Sequence, residues 1–189
     1  MDKKFRVDYA GWLQSEPLTP QAGEYPLCKG EYTQGFLFAC YCGLRVGDVT
    51  DLRWRDISVN GGRHFVSVVM QKNSKPISLP LPAKALSWLP ESREQDAPIF
   101  ALPSYTTIRK HLQKWAEDAG LDKHLHFHLS RHTYGTMLIT AGVDLYTASK
   151  MMGHADVRTT QIYAKIVDSK KIEAVDMVDR MFEREEATD

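Results

Sequence analysis

At 189 residues the chain is long enough for one domain with a sizeable core, and its 43% apolar and 25% charged residues, with 12 Gly and 9 Pro, exclude intrinsic disorder and fibrous repeats. No apolar run reaches membrane-spanning length, the start MDKKFRVDYAGW has no hydrophobic signal core, and Cys28, Cys40 and Cys42 form neither a disulfide framework nor a CxxC zinc pair. The formal net charge of zero hides an asymmetry: from Ile166 onward four basic residues stand against eight acidic ones, leaving the tail at −4 and the body at +4. A body of that balance permits a local basic patch without the bulk positive charge of a strong nonspecific nucleic-acid binder. The expectation is a cytoplasmic protein with no membrane partner, its thiols reduced and mostly buried.

In chain order, the first thirty residues carry Pro17, Pro20 and Pro26 without periodicity, and 1–17 reads as an irregular lead-in. From Gln34 the run QGFLFACYCGL is almost wholly apolar, which predicts a buried helix ended by Gly43 as its left-handed residue. A second helix is predicted at once, with Asp48 in its first turn and Val46, Val49 and Leu52 on one face. HFVSVVM, the polar turn QKNSKP and ISLPL then predict a hairpin at a sheet edge, because Pro80 and Pro82 cannot donate ladder hydrogen bonds. After Ala83 the pattern is helical. Ser104 caps a helix whose Ile108, Leu112, Trp115 and Ala119 share a face and which Gly120 ends. Another runs from His128 to Ala141 before Gly142, Asp144 caps one that stops at Gly153, and a short one carries Thr159 to Tyr163. Finally, Ile172, Val175, Val178 and Phe182 space an amphipathic helix over 168–181. The sum is an α+β chain, mainly helical with a small antiparallel sheet on one edge: one domain over 18–165, then a C-terminal helix and acidic tail over 166–189.

Four separated segments concentrate groups that chemistry on a phosphate uses: CGLRVGDV with Arg45, QKNSKP with Lys72 and Lys75, HLSRH with His128, Arg131 and His132, and MMGHADVRTTQIYA with His154 and Tyr163. Three residues apart on a helix, His128 and Arg131 project from one face. His154 follows a helix-stopping glycine and so sits in a loop near a helix end.

These segments resemble the catalytic domain of the tyrosine recombinases, the phage integrase family. The family pattern is an Arg in a G-L-R turn, a Lys on a hairpin, H-x-x-R, a second His in a G-H turn and a Tyr about nine residues later. Arg45, Lys72, His128, Arg131, His154 and Tyr163 fill those places in order, and the match spans Leu18 to Tyr163. The wording FLFACYCGLR further resembles integrases of mobile elements from Bacteroides-type bacteria.

The resemblance implies a site-specific DNA recombinase. Tyr163 is then the nucleophile, giving a 3′-phosphotyrosyl link that stores the bond for religation without ATP or metal. Arg45 and Arg131 clamp the phosphate with planar forks, Lys72 is the acid for the departing 5′ oxygen, His154 a further donor and His128 the group that helps take the phenolic proton. Asp48, just after the first Arg, orients Arg45. No cofactor is implied. The partner is a double-stranded DNA attachment site, with a tetramer formed on DNA through the C-terminal helix and a monomer or weak oligomer without it. An N-terminal helical domain that completes the clamp around the duplex in such integrases is not expected within these residues.

Blander readings stand beside each assignment. Alone, Tyr163 is core or surface filler, Arg45 and Arg131 are salt-bridge partners, and Lys72 and Lys75 are solvated charges that blunt a sheet edge. His124, His126, His128 and His132 form an H-x-H-x-H-x-x-x-H spacing that could hold Zn²⁺ or Ni²⁺, against which no carboxylate ligand lies close by. With His64 and His111, the histidines His124, His126 and His132 otherwise read as surface, packing or DNA-backbone residues. Type IB topoisomerase-like relaxation and a non-catalytic DNA-binding or metal-binding protein are the alternative functions.

Overall fold

Helix α1 (Glu31–Cys42) runs through the middle of the main core, with Phe36, Leu37, Phe38, Ala39 and Cys42 at 3% exposure or less. A helix apolar on nearly every side has no stable position except inside. Phe36 meets Trp115 and Phe127 edge-on at ring-centroid distances of 6.2 and 5.8 Å, and Phe38 packs on Phe100 at 5.4 Å. The computed structural model describes residues 31–121, 124–163 and 175. The lead-in expected over 1–17 lies outside the described residues, as does the tail helix over 168–181 apart from Val175, which is exposed.

Gly43 ends α1 at φ +69°, its N–H donating to Ala39 O at 2.8 Å, and the chain turns straight into α2 (Val46–Thr50). The sheet follows as three antiparallel strands in the order β1 (Ile57–Asn60), β2 (Arg63–Val69), β3 (Pro76–Pro80). The expected hairpin is therefore β2–β3, and β1 is an addition. Its sequence ISVN is mostly exposed and lacks a buried apolar face, so no hydrophobic pattern marks it. In the central strand the fully buried Val66 pairs with Ile57 on one side and Leu79 on the other. Pro80 lies in the edge strand, as its missing N–H requires, whereas Pro82 falls beyond the sheet and begins α3 (Ala83–Leu86).

Ser104 caps α4 (Tyr105–Asp118), accepting from Thr107 N. Its buried face is Ile108, Leu112, Trp115 and Ala116; Ala119, expected on that face, is only half-buried at the C-terminal cap. Helix α5 (His128–Thr140) packs against α1 and then against α6 (Leu145–Met151). Asp144 caps α6, its carboxylate accepting from Thr147 N at 2.9 Å. The segment expected as a short helix is a 3₁₀ helix, Val157–Tyr163. Along α5, Leu129 belongs to the main core, while Tyr134 and Ile139 join Ala148, Met152 and Tyr163 in a smaller one. The face between these two cores carries the site. Among the described residues no helix is long and apolar enough to cross a membrane.

Candidate active site

Arg45 stands at the N-terminal cap of α2, immediately after the Gly43–Leu44 turn. Asp48, 4% exposed, accepts from the backbone N–H of Arg45 at 3.3 Å and, through its other oxygen, from the backbone N–H of Gln71 at 2.9 Å. The family resemblance assigns Asp48 to orienting Arg45. What it holds is the backbone: one buried carboxylate fastens the start of the β2–β3 turn to the arginine turn. The guanidinium itself meets a thioether, with Arg45 Nη1 donating to Met70 Sδ at 3.4 Å.

The β2–β3 turn is closed by Met70 N–H donating to Lys75 O at 2.9 Å, and Asn73 Nδ2 reaches Gly153 O at 3.4 Å. Anchored on both sides, the turn sets Lys72 on the cleft wall. Lys75 is exposed at the far end of the turn and does not line the cleft.

Arg131, 4% exposed, extends from α5 between two other segments, donating through Nη1 to Gly43 O at 2.5 Å and through Nη2 to Met152 O. It fastens the G-L-R turn and the G-H turn to α5. Each terminal nitrogen carries two hydrogens, so each keeps one beyond these two bonds, and the side chain lines the cleft. Burial and the neighbouring Arg45 charge bring its pKa down to about 10, so it stays charged at neutral pH.

His154 follows Gly153, whose φ of +59° ends α6. Its Nδ1 pairs with Thr160 Oγ1 at 2.8 Å, and Thr160 is fully buried, which fixes the ring and leaves Nε2 for the cleft. The sequence reading missed Thr160, because only the 3₁₀ fold of the segment brings it back to His154. Burial, then the charges of Arg131, Arg45 and Lys72, push His154 down to about 4; His132 falls to about 4 through burial and its neighbour His128, and His128 is lowered by burial and Arg131. The histidines of the cleft are neutral at pH 7.

Tyr163 is 3% exposed, and its hydroxyl meets His132 Nδ1 at 3.1 Å. The family resemblance has His128 help take the phenolic proton, and His132 reads as a surface, packing or DNA-backbone residue; here the hydroxyl's hydrogen bond is with His132, whose ring stands edge-on to that of His128 at 4.8 Å. Gly135, one turn further along α5, explains why the phenol comes so close: a Cβ there would lie 2.6 Å from Tyr163 Cζ and 2.7 Å from its oxygen. Glycine inside a helix costs about 1 kcal/mol relative to alanine, a cost met here by ring-to-backbone packing.

Arg45, Lys72, His128, Arg131, His154 and Tyr163 thus line one cleft of about 290 Å³, with His132 and Thr159 beside them. Its permanent charges are Arg45, Lys72 and Arg131, with Asp156 on the same wall. Three cations around one cleft suit a single phosphate with two ester arms. The H-x-H-x-H-x-x-x-H spacing does not produce a ligand cage: among the described residues no three His, Cys, Asp or Glu side chains are arranged to hold a metal ion.

Side chains from the G-L-R turn, the β2–β3 turn, α5, the G-H turn and the 3₁₀ helix thus meet in one cleft of a mainly helical domain. The chain belongs to the phage integrase family, whose model matches residues 28–170. It is 31% identical over 145 residues to a tyrosine recombinase of Pseudothermotoga lettingae, covering 71% of this chain and 49% of the relative. To the tyrosine recombinase XerC of Actinobacillus pleuropneumoniae it is 31% identical over 147 residues, 71% of this chain and 44% of the relative. The chain spans about half the length of the curated relatives it matches. In fold it is similar to the XerH site-specific recombinase bound to difH substrate (TM-score 0.60, 19% identity, 80% of this chain and 48% of that one). It is similar also to the catalytic domain of bacteriophage HP1 integrase (TM-score 0.56, 19% identity, 76% of this chain and 80% of that one).

Proposed function

We propose that the chain is the DNA-cleaving part of a site-specific recombinase that breaks and rejoins a phosphodiester through a 3′-phosphotyrosyl intermediate. The observation that carries the reading is the convergence of Arg45, Lys72, His128, Arg131, His154 and Tyr163 on one cleft. Tyr163 Oη attacks the scissile phosphorus and gives up its proton with the help of neutral His128, a bond forms from Oη to P, and the bond from P to O5′ breaks. Lys72 gives a proton to the departing 5′ oxygen. Arg45, Arg131 and the Nε2–H of His154 donate to the non-bridging oxygens, where charge develops, each preorganised donor contributing ~3 kcal/mol. Religation runs the same steps backward, with the 5′ hydroxyl attacking the phosphotyrosine. Neither metal nor ATP enters, because the chain's own cations stabilise the charge and the bond is conserved.

The substrate of this reading is a double-stranded attachment site. Copies of the chain assemble on it as a tetramer, and the setting is bacterial nucleoid DNA in the cytoplasm. FLFACYCGLR supports a mobile-element integrase of the Bacteroides type. A structural relative with TM-score 0.53 is the Tn1549 transposon integrase in complex with circular intermediate DNA.

The test is trapping. Duplex DNA selected by the chain from a randomised pool is nicked so that cleavage releases a short end and religation fails. The wild-type chain should accumulate a covalent adduct in the presence of EDTA. Adduct that forms only with added Mg²⁺ overturns the assigned roles.

A further inference from the structure

We propose that His132 is a positioning residue for the nucleophile, its Nδ1 accepting the hydroxyl hydrogen of Tyr163 and fixing that oxygen on the wall of the cleft. The inference rests on the reading of Tyr163 as the attacking group. Three observations support it. The two atoms lie 3.1 Å apart, within hydrogen-bond range, and the ring of Tyr163 stands at an angle of 60° to that of His132. Gly135 leaves the space without which the phenol could not reach α5. Finally, His132 has the protonation state the role needs, since an imidazolium carries hydrogens on both nitrogens and accepts nothing. Burial, with His128 and His126 at the same end of α5, Arg131 beside it and His154 from the facing turn, keeps it neutral down to about pH 4.

The arrangement divides labour along α5. His128, Arg131 and His132 all line the cleft, but it is His132, with Gly135 one turn on, that meets Tyr163 and holds the nucleophile, which leaves His128 and Arg131 to face the phosphate. Holding a phenol oxygen by one directed bond removes rotational freedom that would otherwise be lost at the moment of attack. The acceptor fixes a tautomer as well: with Nδ1 bare, the hydrogen of His132 is on Nε2.

Two measurements test the proposal. In ¹⁵N-histidine-labelled, DNA-free chain, long-range nitrogen–proton correlation should show His132 Nδ1 as an unprotonated nitrogen at pH 7, and Tyr163→Phe should shift it. On the nicked trapping duplex, His132→Ala should slow adduct formation by about tenfold to a hundredfold. His132→Asn, whose amide oxygen can stand where Nδ1 stands, should recover most of that loss. A role in packing alone gives no such recovery. An Nδ1 resonance that carries hydrogen, or that ignores Tyr163→Phe, overturns the proposal even where His132→Ala fails to fold. So does a wild-type rate in His132→Ala while Tyr163→Phe is inert. Adduct persisting in Tyr163→Phe instead removes the nucleophile assignment on which the proposal rests.

Discussion

Arg131 Nη1 lies 2.5 Å from Gly43 O, across 88 residues of chain. With its second bond to Met152 O, this side chain joins the turn that carries Arg45, the helix that carries His128 and the turn that carries His154. The arginine that is to hold the phosphate therefore also holds the cleft together.

Arg131→Lys is expected to lose stability as well as cleavage. Lysine keeps the charge but has no fork to span two carbonyls, and each buried group left unsatisfied costs about 1–3 kcal/mol. The melting temperature should fall by roughly 5–15 °C in calorimetry. Arg45→Lys, whose lost partner is the Met70 sulfur, should lose cleavage with a much smaller fall. Equal shifts for the two variants contradict the fastening role.

Thr160→Val keeps the shape of a fully buried side chain and removes the oxygen that holds His154 Nδ1. The ring can then turn or change tautomer, and Nε2 is no longer set as a donor. Adduct formation should slow by about tenfold, the equivalent of ~1.4 kcal/mol, while DNA affinity in a gel-shift titration stays within about twofold. A larger effect on affinity than on rate places Thr160 in folding or binding.

Acid should destabilise the chain below the histidine range. His132 and His154 titrate near 6.5 when unfolded and near 4 when folded, so between those values the unfolded state binds more protons. Their contribution is complete above pH 6.5 and is lost as the pH falls toward 4. Melting temperatures from pH 7 to 4.5 should descend, and the double variant His132→Gln, His154→Gln should descend less steeply. Parallel curves would contradict the neutral, buried state of the two rings.

Much of this organisation is legible in the sequence because it is local. Gly43, Gly120, Gly142 and Gly153, which end the four longest described helices, all have positive φ, and Ser104 and Asp144 cap as their side chains allow. Through their resemblance to the phage integrase family, the G-L-R turn, H-x-x-R and the G-H turn likewise point to Arg45, His128, Arg131 and His154, which line the cleft. What escapes is contact made by tertiary packing. Nothing in RHTYG says that His132 and Gly135, rather than His128, will meet Tyr163, and nothing near Asp48 tells a backbone partner from a guanidinium. β1 escapes for another reason: three exposed residues in a four-residue strand leave no alternation to read.

Lys72 and Lys75 bracket the same turn, and position favours the first, which lines the cleft, over the second, which does not. Loss of the true acid should be rescued by a 5′-phosphorothiolate, because a thiolate leaves without a proton. Lys72→Ala should be severely slow on ordinary DNA and near normal on the sulfur substrate, and Lys75→Ala only mildly, salt-sensitively impaired on both. Rescue confined to Lys75→Ala reverses the two roles.

The central claim is that Tyr163 carries the DNA. The most direct measurement is to trap the wild-type chain on the nicked duplex, digest protein and DNA, and map the nucleotide-bearing peptide by tandem mass spectrometry. The expected result is a 3′-phosphonucleotide on Tyr163, with no adduct in Tyr163→Phe. A nucleotide mapped to Tyr41, Tyr134 or Tyr146, or adduct undiminished in Tyr163→Phe, contradicts it.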